Sequence, residues 1–505
     1  MSDRGLTPAT PFEPAPPAGR SSPEIPLGLV IGLVVLMVVG LGLAGYVLAN
    51  QGQDEQSGPS YPKAWDPRIA PYVKVVEQQR GLTFLHPVAV RFLTEKAFKK
   101  TVTSDELDLD KEQRAQIDQA TGFLRALGLL HGDVDLFDAF NSTAESGILA
   151  YYSFEDQRIT IRGTTLSPSA RATLVHELTH ALQDQHFAVG ERKAKLEKAS
   201  RKGSKDRPTT TESTVYDAIV EGDAERVATL YKASLPPKER KAIEAGQQEE
   251  NTQGAAELAQ VPKVILTMFS SPYVLGESMV EAVATEGGNS AVDRLFRDTP
   301  THEASLLDPF QVLADDLGAA KVAVPAVREG EKKLESGELG TLTWYFMLAE
   351  RIPLPGALSI ADGWGGDAYV DFTRAGVTCV RIAYRGDTAQ DTDLMLSGLR
   401  RWVAAAPGSP ASVTVSGDQL DFESCDPGAA VNAGKDVSEN ALALAVSRTN
   451  IGIGLIKAKV PETVARCLAD KLVRTYSIPQ LSNPKFGAGD PAVQARIRQL
   501  ALACR

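Results

Sequence analysis

The chain has little histidine, little cysteine and a shortage of positive charge. Across 505 residues, 53 Lys and Arg stand against 64 Asp and Glu, a formal charge of −11. That balance argues against nucleic acid as the main partner. Four cysteines occur, Cys379, Cys425, Cys467 and Cys504, all in the last third. An even number confined to one region predicts two disulfides if that region lies outside the cytoplasm, and four buried thiols if it does not. No internal repeat of useful period is visible, which sets repeat architectures aside. Histidine numbers only six, so two of them at a meaningful spacing carry weight.

Such a pair stands in Ala172 to Phe187, ATLVHELTHALQDQHF. His176-Glu177-Leu178-Thr179-His180 is an H-E-x-x-H motif. On a helix, residues four apart share a face, so both imidazoles can point at one metal ion. Two neutral nitrogen ligands suit zinc. Glu177 sits beside them, where it can act as a base on a metal-bound water. The local sequence favours a helix. Ser167-Pro168 reads as an N-cap with proline at the first helical position, and Leu174, Val175, Leu178 and Leu182 give an apolar stripe.

A catalytic zinc takes three protein ligands and a water. His186 and Glu221 compete for the third place. His186 lies ten residues after His176, a spacing that works where a glycine turns the chain between them. Gln183 stands at that glycine position, and Ala181, Leu182 and Gln183 favour continuing the helix. A continued helix carries His186 about 15 Å along the axis from His176, out of reach. Glu221, in VEGDAE, arrives on a second helix, with Gly222 allowing close approach. Glu225 is four residues on and shares its face, so one acid can bind metal while the other hydrogen-bonds a ligand histidine.

Read in order, residues 1–26 are rich in Pro, Ala and Ser and are expected to be a disordered cytoplasmic tail. Residues 27–49, LGLVIGLVVLMVVGLGLAGYVLA, carry no charge. As a helix they measure about 35 Å, enough to cross a core of about 30 Å. A single membrane anchor is expected, with the N-terminus inside. The charge bias for that orientation is weak, and the cysteines favour it too. Residues 50–66 read as a linker. In the following region, 67–355, Tyr72–Gln79, Asp110–Leu130, Thr211–Leu235 and Leu275–Phe296 have helical spacing, the last with a break at Gly287-Gly288. GILAYYSFEDQRITIRG, 147–163, reads as a β-hairpin turning near Glu155-Asp156. The basic stretch 191–207 reads as a solvated loop, and 340–352 as a buried helix. Residues 356–505 alternate β-like and helical runs, a small α+β region. The expected class is α+β, mainly helical.

VHELTHALQDQHF followed by VEGDAE resembles the gluzincin, thermolysin-like type of zinc metallopeptidase. The chain is more closely similar to a family of bacterial neutral zinc metallopeptidases, over roughly residues 69–373. That likeness also takes in the 147–163 hairpin, PYVLGESMVEAVATEGGNSAVDRLFRD, THEASLLDP and GWGGDAYV. It departs where the family reads S-T-E-Q-x-L-H-P: here Asp308 replaces the histidine, and His302 appears upstream. The resemblance implies zinc held by His176, His180 and Glu221, Glu177 as general base, and a peptide or protein substrate. Tyr273, His302 and Tyr369 are candidate oxyanion donors. The expected function is a membrane-anchored peptidase with its catalytic region outside the cytoplasm. The alternatives are a cell-wall peptide amide hydrolase, or a non-catalytic interaction protein that keeps the scaffold. For the cysteines, the pairs Cys379–Cys425 and Cys467–Cys504 are expected: one ties two β-like runs, the other a helical segment to the chain end. Oligomeric state is not legible.

Overall fold

The computed structural model describes residues 61–103, 111–201, 211–314, 319–406, 408–431, 434–483, 486 and 490–505. The expected tail 1–26, the apolar span 27–49 and residues 50–60 lie outside them. Among the described residues no helix is long and apolar enough to cross a membrane. The end of the expected linker is part of the fold: the Trp65 ring meets Phe84 edge-on at 4.9 Å and packs on an apolar cluster. A tryptophan buries too much apolar area to be left in a solvated spacer.

The class is α+β and mostly helical. The first half runs α1 (Ala70–Arg80), β1 (Ala89–Leu93), α2 (Glu95–Val102), α3 (Lys111–Ala126), α4 (Leu136–Gly147), β2 (Ala150–Ser153), β3 (Arg158–Arg162), α5 (Pro168–Phe187), α6 (Val189–Arg201), α7 (Glu212–Ser234), α8 (Pro237–Leu258) and α9 (Lys263–Arg297). The second runs α10 (Ala304–Leu307), α11 (Pro309–Ala314), β4 (Glu331–Gly337), α12 (Thr341–Ala349), α13 (Leu354–Ala361), β5 (Trp364–Arg374), β6 (Val377–Gly386), α14 (Ala389–Ala404), β7 (Ala411–Ser416), β8 (Gln419–Cys425), α15 (Ser438–Lys457), α16 (Glu462–Thr475), α17 (Ile478–Leu481) and α18 (Pro491–Leu502).

The hairpin before the motif helix forms as β2 antiparallel to β3, and β1 adds in parallel on the far side, giving the order β1-β3-β2. Strand β2 is therefore an edge. A small apolar cluster lies under this sheet and takes in Leu174, Val175, Leu178 and Leu182 of α5. A larger cluster runs from α3 through α7, α9 and α12 to α16. Helix α7 belongs to both, with Val215 to Val220 in the large one and Val227 and Tyr231 in the small one.

Two expectations need correction. The segment from 191 is not a loop: α6 spans Val189–Arg201, and residues 202–207 lie outside the described residues. Ala, Lys, Glu and Leu are strong helix formers, and the fully buried Val189 with Leu196 anchors the helix to the core. The boundary expected after residue 355 is crossed by packing. Strand β4 pairs with β5 in a five-stranded sheet ordered β4-β5-β6-β8-β7, and one apolar cluster spans both sides. A strand with exposed lysines, EKKLESG, carries no strong β signal of its own.

Both disulfides pair as expected. Cys379 and Cys425 lie directly opposite on β6 and β8, and Cys467 of α16 joins Cys504 at the chain end.

Candidate metal centre

Helix α5 starts where the sequence places it. Ser167 Oγ accepts from Ala170 N–H at 3.1 Å, and Pro168 opens the first turn. The helix ends at Ala188, whose φ of +50° turns the chain into α6. Between those ends it is buried nearly all round, because the small sheet covers one side and α7 the other. Helix α7 in turn lies against α9 at a close crossing. Gly222, expected to let α7 approach the motif helix, faces α9 instead: a Cβ there would fall 2.0 Å from the Gly276 carbonyl carbon, so only glycine fits at that contact.

This packing brings His176, His180 and Glu221 together, with one ligand atom from each within 4.8 Å of the others. His176 Nε2 and His180 Nε2 are 2.9 Å apart, and Glu221 Oε2 lies 3.2 Å from the first and 3.1 Å from the second. Ligands on a tetrahedral zinc with bonds of about 2.0–2.1 Å are separated by about 3.3 Å, so this triangle is close to the required size. All three side chains are buried, at 2%, 5% and 7% exposure.

The far nitrogens of the rings say which atoms face inward. His180 Nδ1 lies 3.0 Å from Gln183 Oε1. The Gln183 NH₂ donates to Val220 O at 3.0 Å and Asp223 Oδ2 at 2.9 Å, which fixes the amide with its oxygen toward the histidine. His180 Nδ1 therefore carries the proton, and Nε2 presents a lone pair. His176 Nδ1 faces Glu225 Oε2 at 3.5 Å, an ion-pair contact without a hydrogen bond, so the acid favours positive charge on this ring but does not fix its tautomer. Asp223 is in turn held by Arg80, a fully buried guanidinium at 2.8 Å that also pairs with Asp293.

With both rings neutral, three acceptors converge here, an arrangement that a shared cation, whether proton or metal, relieves. Burial alone would lower His176, but Glu221, Glu225 and Glu177 outweigh it and push this ring up to about 10. Burial alone would raise Glu221, but the two histidines hold it well below the usual carboxylate range. The field that favours a proton on His176 also favours a metal cation in the same place. The donor set of two imidazoles and one carboxylate fits such an ion.

Glu177 is 6% exposed, and its Oε2 accepts the Tyr152 N–H of β2 at 2.7 Å. Burial raises this carboxyl above its ordinary value, with the two histidines pulling the other way. Among the candidate oxyanion donors, Tyr273 stacks on His176 with ring centroids 6.0 Å apart. The other two stand elsewhere. His302 contacts Glu338 at 3.2 Å and the Trp364 ring. Tyr369 is on β5 against Phe123. Both serve the packing of the five-stranded sheet. His186 reaches Thr83 O at 2.8 Å and stays out of the group. Asp308 pairs with Arg466 at 3.1 Å.

Sequence reasoning passed over Gln183, Asp223 and Arg80. The first was within reach, since Gln183 follows His180 by three and shares its face. Arg80 lies about a hundred positions upstream, and only folding brings it near.

The chain matches no known protein-family description, no curated protein and no solved structure. The functional reading therefore rests on the residues and their geometry.

Proposed function

We propose that the chain is a zinc-dependent metallopeptidase of the gluzincin type, anchored by residues 27–49 with its catalytic region outside the cytoplasm. The observation that carries this reading is the convergence of His176 Nε2, His180 Nε2 and Glu221 Oε2, with Glu177 next to them on the same helix. The motif geometry alone suits any hydrolytic zinc site; the peptide substrate comes from the resemblance of VHELTHALQDQHF and VEGDAE.

His176, His180 and Glu221 would hold the ion, and Gln183 and Glu225 would orient the two rings. Bound zinc supplies Lewis acidity and a water that ionises near pH 7. Glu177 would accept a proton at its carboxylate and pass it to the leaving amine, and the raised proton affinity of this buried carboxyl suits both roles. The Tyr152 N–H fixes Oε2, leaving Oε1 for the transfer. Strand β2 is an edge whose outward N–H faces Glu177, so an extended peptide lying along it passes the carboxylate.

The test is hydrolysis of casein by the purified protein, with metal content measured beside it. The expected result is chelator-sensitive cleavage, and a Glu177→Gln variant that keeps its metal but loses roughly 10²–10⁴ in rate. A variant that retains most of its activity would sink the mechanism. Bound zinc without casein cleavage would shift the substrate to cell-wall peptides or the role to a scaffold.

A further inference from the structure

Strand β2 is four residues long and has one partner, β3, which leaves its other edge free of strand pairing. On that edge Tyr152 N–H donates to Glu177 Oε2 at 2.7 Å. A short strand paired on one side opens at little cost, because few contacts resist it. Holding the Glu177 carboxylate in one orientation therefore calls for a second constraint on the strand.

The Tyr152 side chain supplies it. Its hydroxyl donates to Asp184 Oδ2 at 3.0 Å, on the motif helix itself. Glu177 and Asp184 are seven apart on α5, so they share a face and lie about 10 Å apart along the axis. One strand residue thus grips the helix twice, with its backbone at the base and its phenol two turns further on. Asp184 is fixed in its turn. Its Oδ1 accepts from Gly190 N–H of α6 at 2.9 Å. Gly190 also abuts the end of the strand, where a Cβ would fall 3.0 Å from that of Phe154. Asp184 and Tyr152 are only 9% and 7% exposed, so water competes little for the bond between them.

We infer that Asp184 is a positioning residue for Glu177: it anchors the Tyr152 hydroxyl, and the strand so moored presents the N–H that fixes Glu177 Oε2. Its effect on rate rests on the peptidase reading; the mooring of the strand does not.

Tyr152→Phe deletes the hydroxyl and keeps the ring and the backbone N–H. The full chain, Tyr152→Phe, Glu177→Gln and the double variant are compared on casein at equal metal content. Tyr152→Phe should lose about tenfold or more in rate, since a small misplacement of a catalytic group costs up to about 10²-fold. On the Glu177→Gln background the same change should add little, as for residues that act as one unit. Losses that multiply would mean that the hydroxyl serves the strand or the substrate rather than Glu177, and would overturn the proposal. Asp184→Ala should match Tyr152→Phe, and Asp184→Asn, whose amide can bond both partners, should recover most of the rate. Amide exchange at residue 152, read by mass spectrometry on overlapping peptides, reports the mooring without any activity. It should quicken by about tenfold or more in Tyr152→Phe and Asp184→Ala and return in Asp184→Asn. Unchanged exchange in Tyr152→Phe, which removes one oxygen and leaves the fold in place, would overturn the proposal whether or not casein is cleaved. Faster exchange in a protein that never cleaves casein would support the mooring and sink the peptidase reading instead.

Discussion

Glu221 of the candidate metal centre and the acids beneath the five-stranded sheet are equally buried, yet their protonation is driven in opposite directions. Asp367 accepts from Leu339 N–H at 2.6 Å, Gly340 N–H at 3.2 Å, Trp344 Nε1 at 3.0 Å and Trp364 Nε1 at 2.7 Å. Burial still pushes it up to about 6, with Glu338 nearby adding to the rise. Glu303, which accepts from Leu342 N–H, is pushed up to about 8 by burial. Glu221 is just as buried but faces two imidazoles, and it stays ionised. Neutral N–H donors hold a carboxyl in place without keeping its charge, whereas adjacent ionisable bases keep the charge and leave a ligand. The first cluster fastens the start of α7 to β4 and β5 through Thr211, Glu338 and Glu303. The second groups atoms that could hold a metal ion.

The comparison breaks most sharply at Glu221. Glu221→Ala is expected to lose the metal, a larger effect than the roughly 10–100-fold typical of a residue that only orients a ligand. His186→Ala should keep it. Metal content after dialysis reads both, and the reverse result would move the protein to a three-histidine site. Next in size is Gly222→Ala. The added methyl would lie 2.0 Å from the Gly276 backbone, forcing α7 and α9 apart. A loss of about 3 kcal/mol in chemical unfolding is expected, the upper end for overpacking. Unchanged stability would mean that the crossing is looser than described.

Gln183→Met tests whether the Asp223-anchored amide sets the His180 tautomer. Metal affinity by competition with a chelator should fall by roughly 10–100-fold. In ¹⁵N spectra of the metal-free protein, His180 should lose its fixed Nδ1–H form. If affinity falls while the tautomer stays fixed, the loss has another cause.

The smallest effect is expected at Glu303. Its folded value of about 8 lies above the ordinary 4.5. The stability from its protonated form is complete below about pH 4.5 and is lost as pH rises through about 8. The wild-type melting temperature should thus decline from about pH 4.5 to 8, with Asp367 adding to the decline only below about pH 6. Glu303→Gln should flatten part of that decline, and an unaltered slope would remove Glu303 as its source. Glu221 has the opposite sign: held low, it stabilises at neutral pH and loses that contribution only in acid.

How much of this was legible beforehand follows from the range of the interactions. The motif helix, its Ser167 cap and Pro168 start are local, so spacing and capping chemistry were enough to place α5. The exclusion of His186 was local too, since it needed only an unbroken helix through Gln183, whereas Glu221 came from the resemblance of VEGDAE. The hairpin and the helix 341–349 were likewise legible in short runs of residue types, while Cys379–Cys425 was favoured among three possible pairings. The contacts that sequence spacing left open are those between distant segments. The parallel addition of β1, the pairing of β4 with β5 across residue 355 and the reach of Arg80 to Asp223 each join segments that nothing in between connects. His302 and Tyr369 showed the right chemistry for the metal centre, but a side chain's chemistry does not say where its backbone will be carried. By itself the sequence determined which atoms are able to bind a metal, because ligand type and helical spacing are properties of neighbouring residues. Only the tertiary structure decided which nitrogen of His180 faces inward, because that depends on an amide fixed by an aspartate on α7 and an arginine at the end of α1.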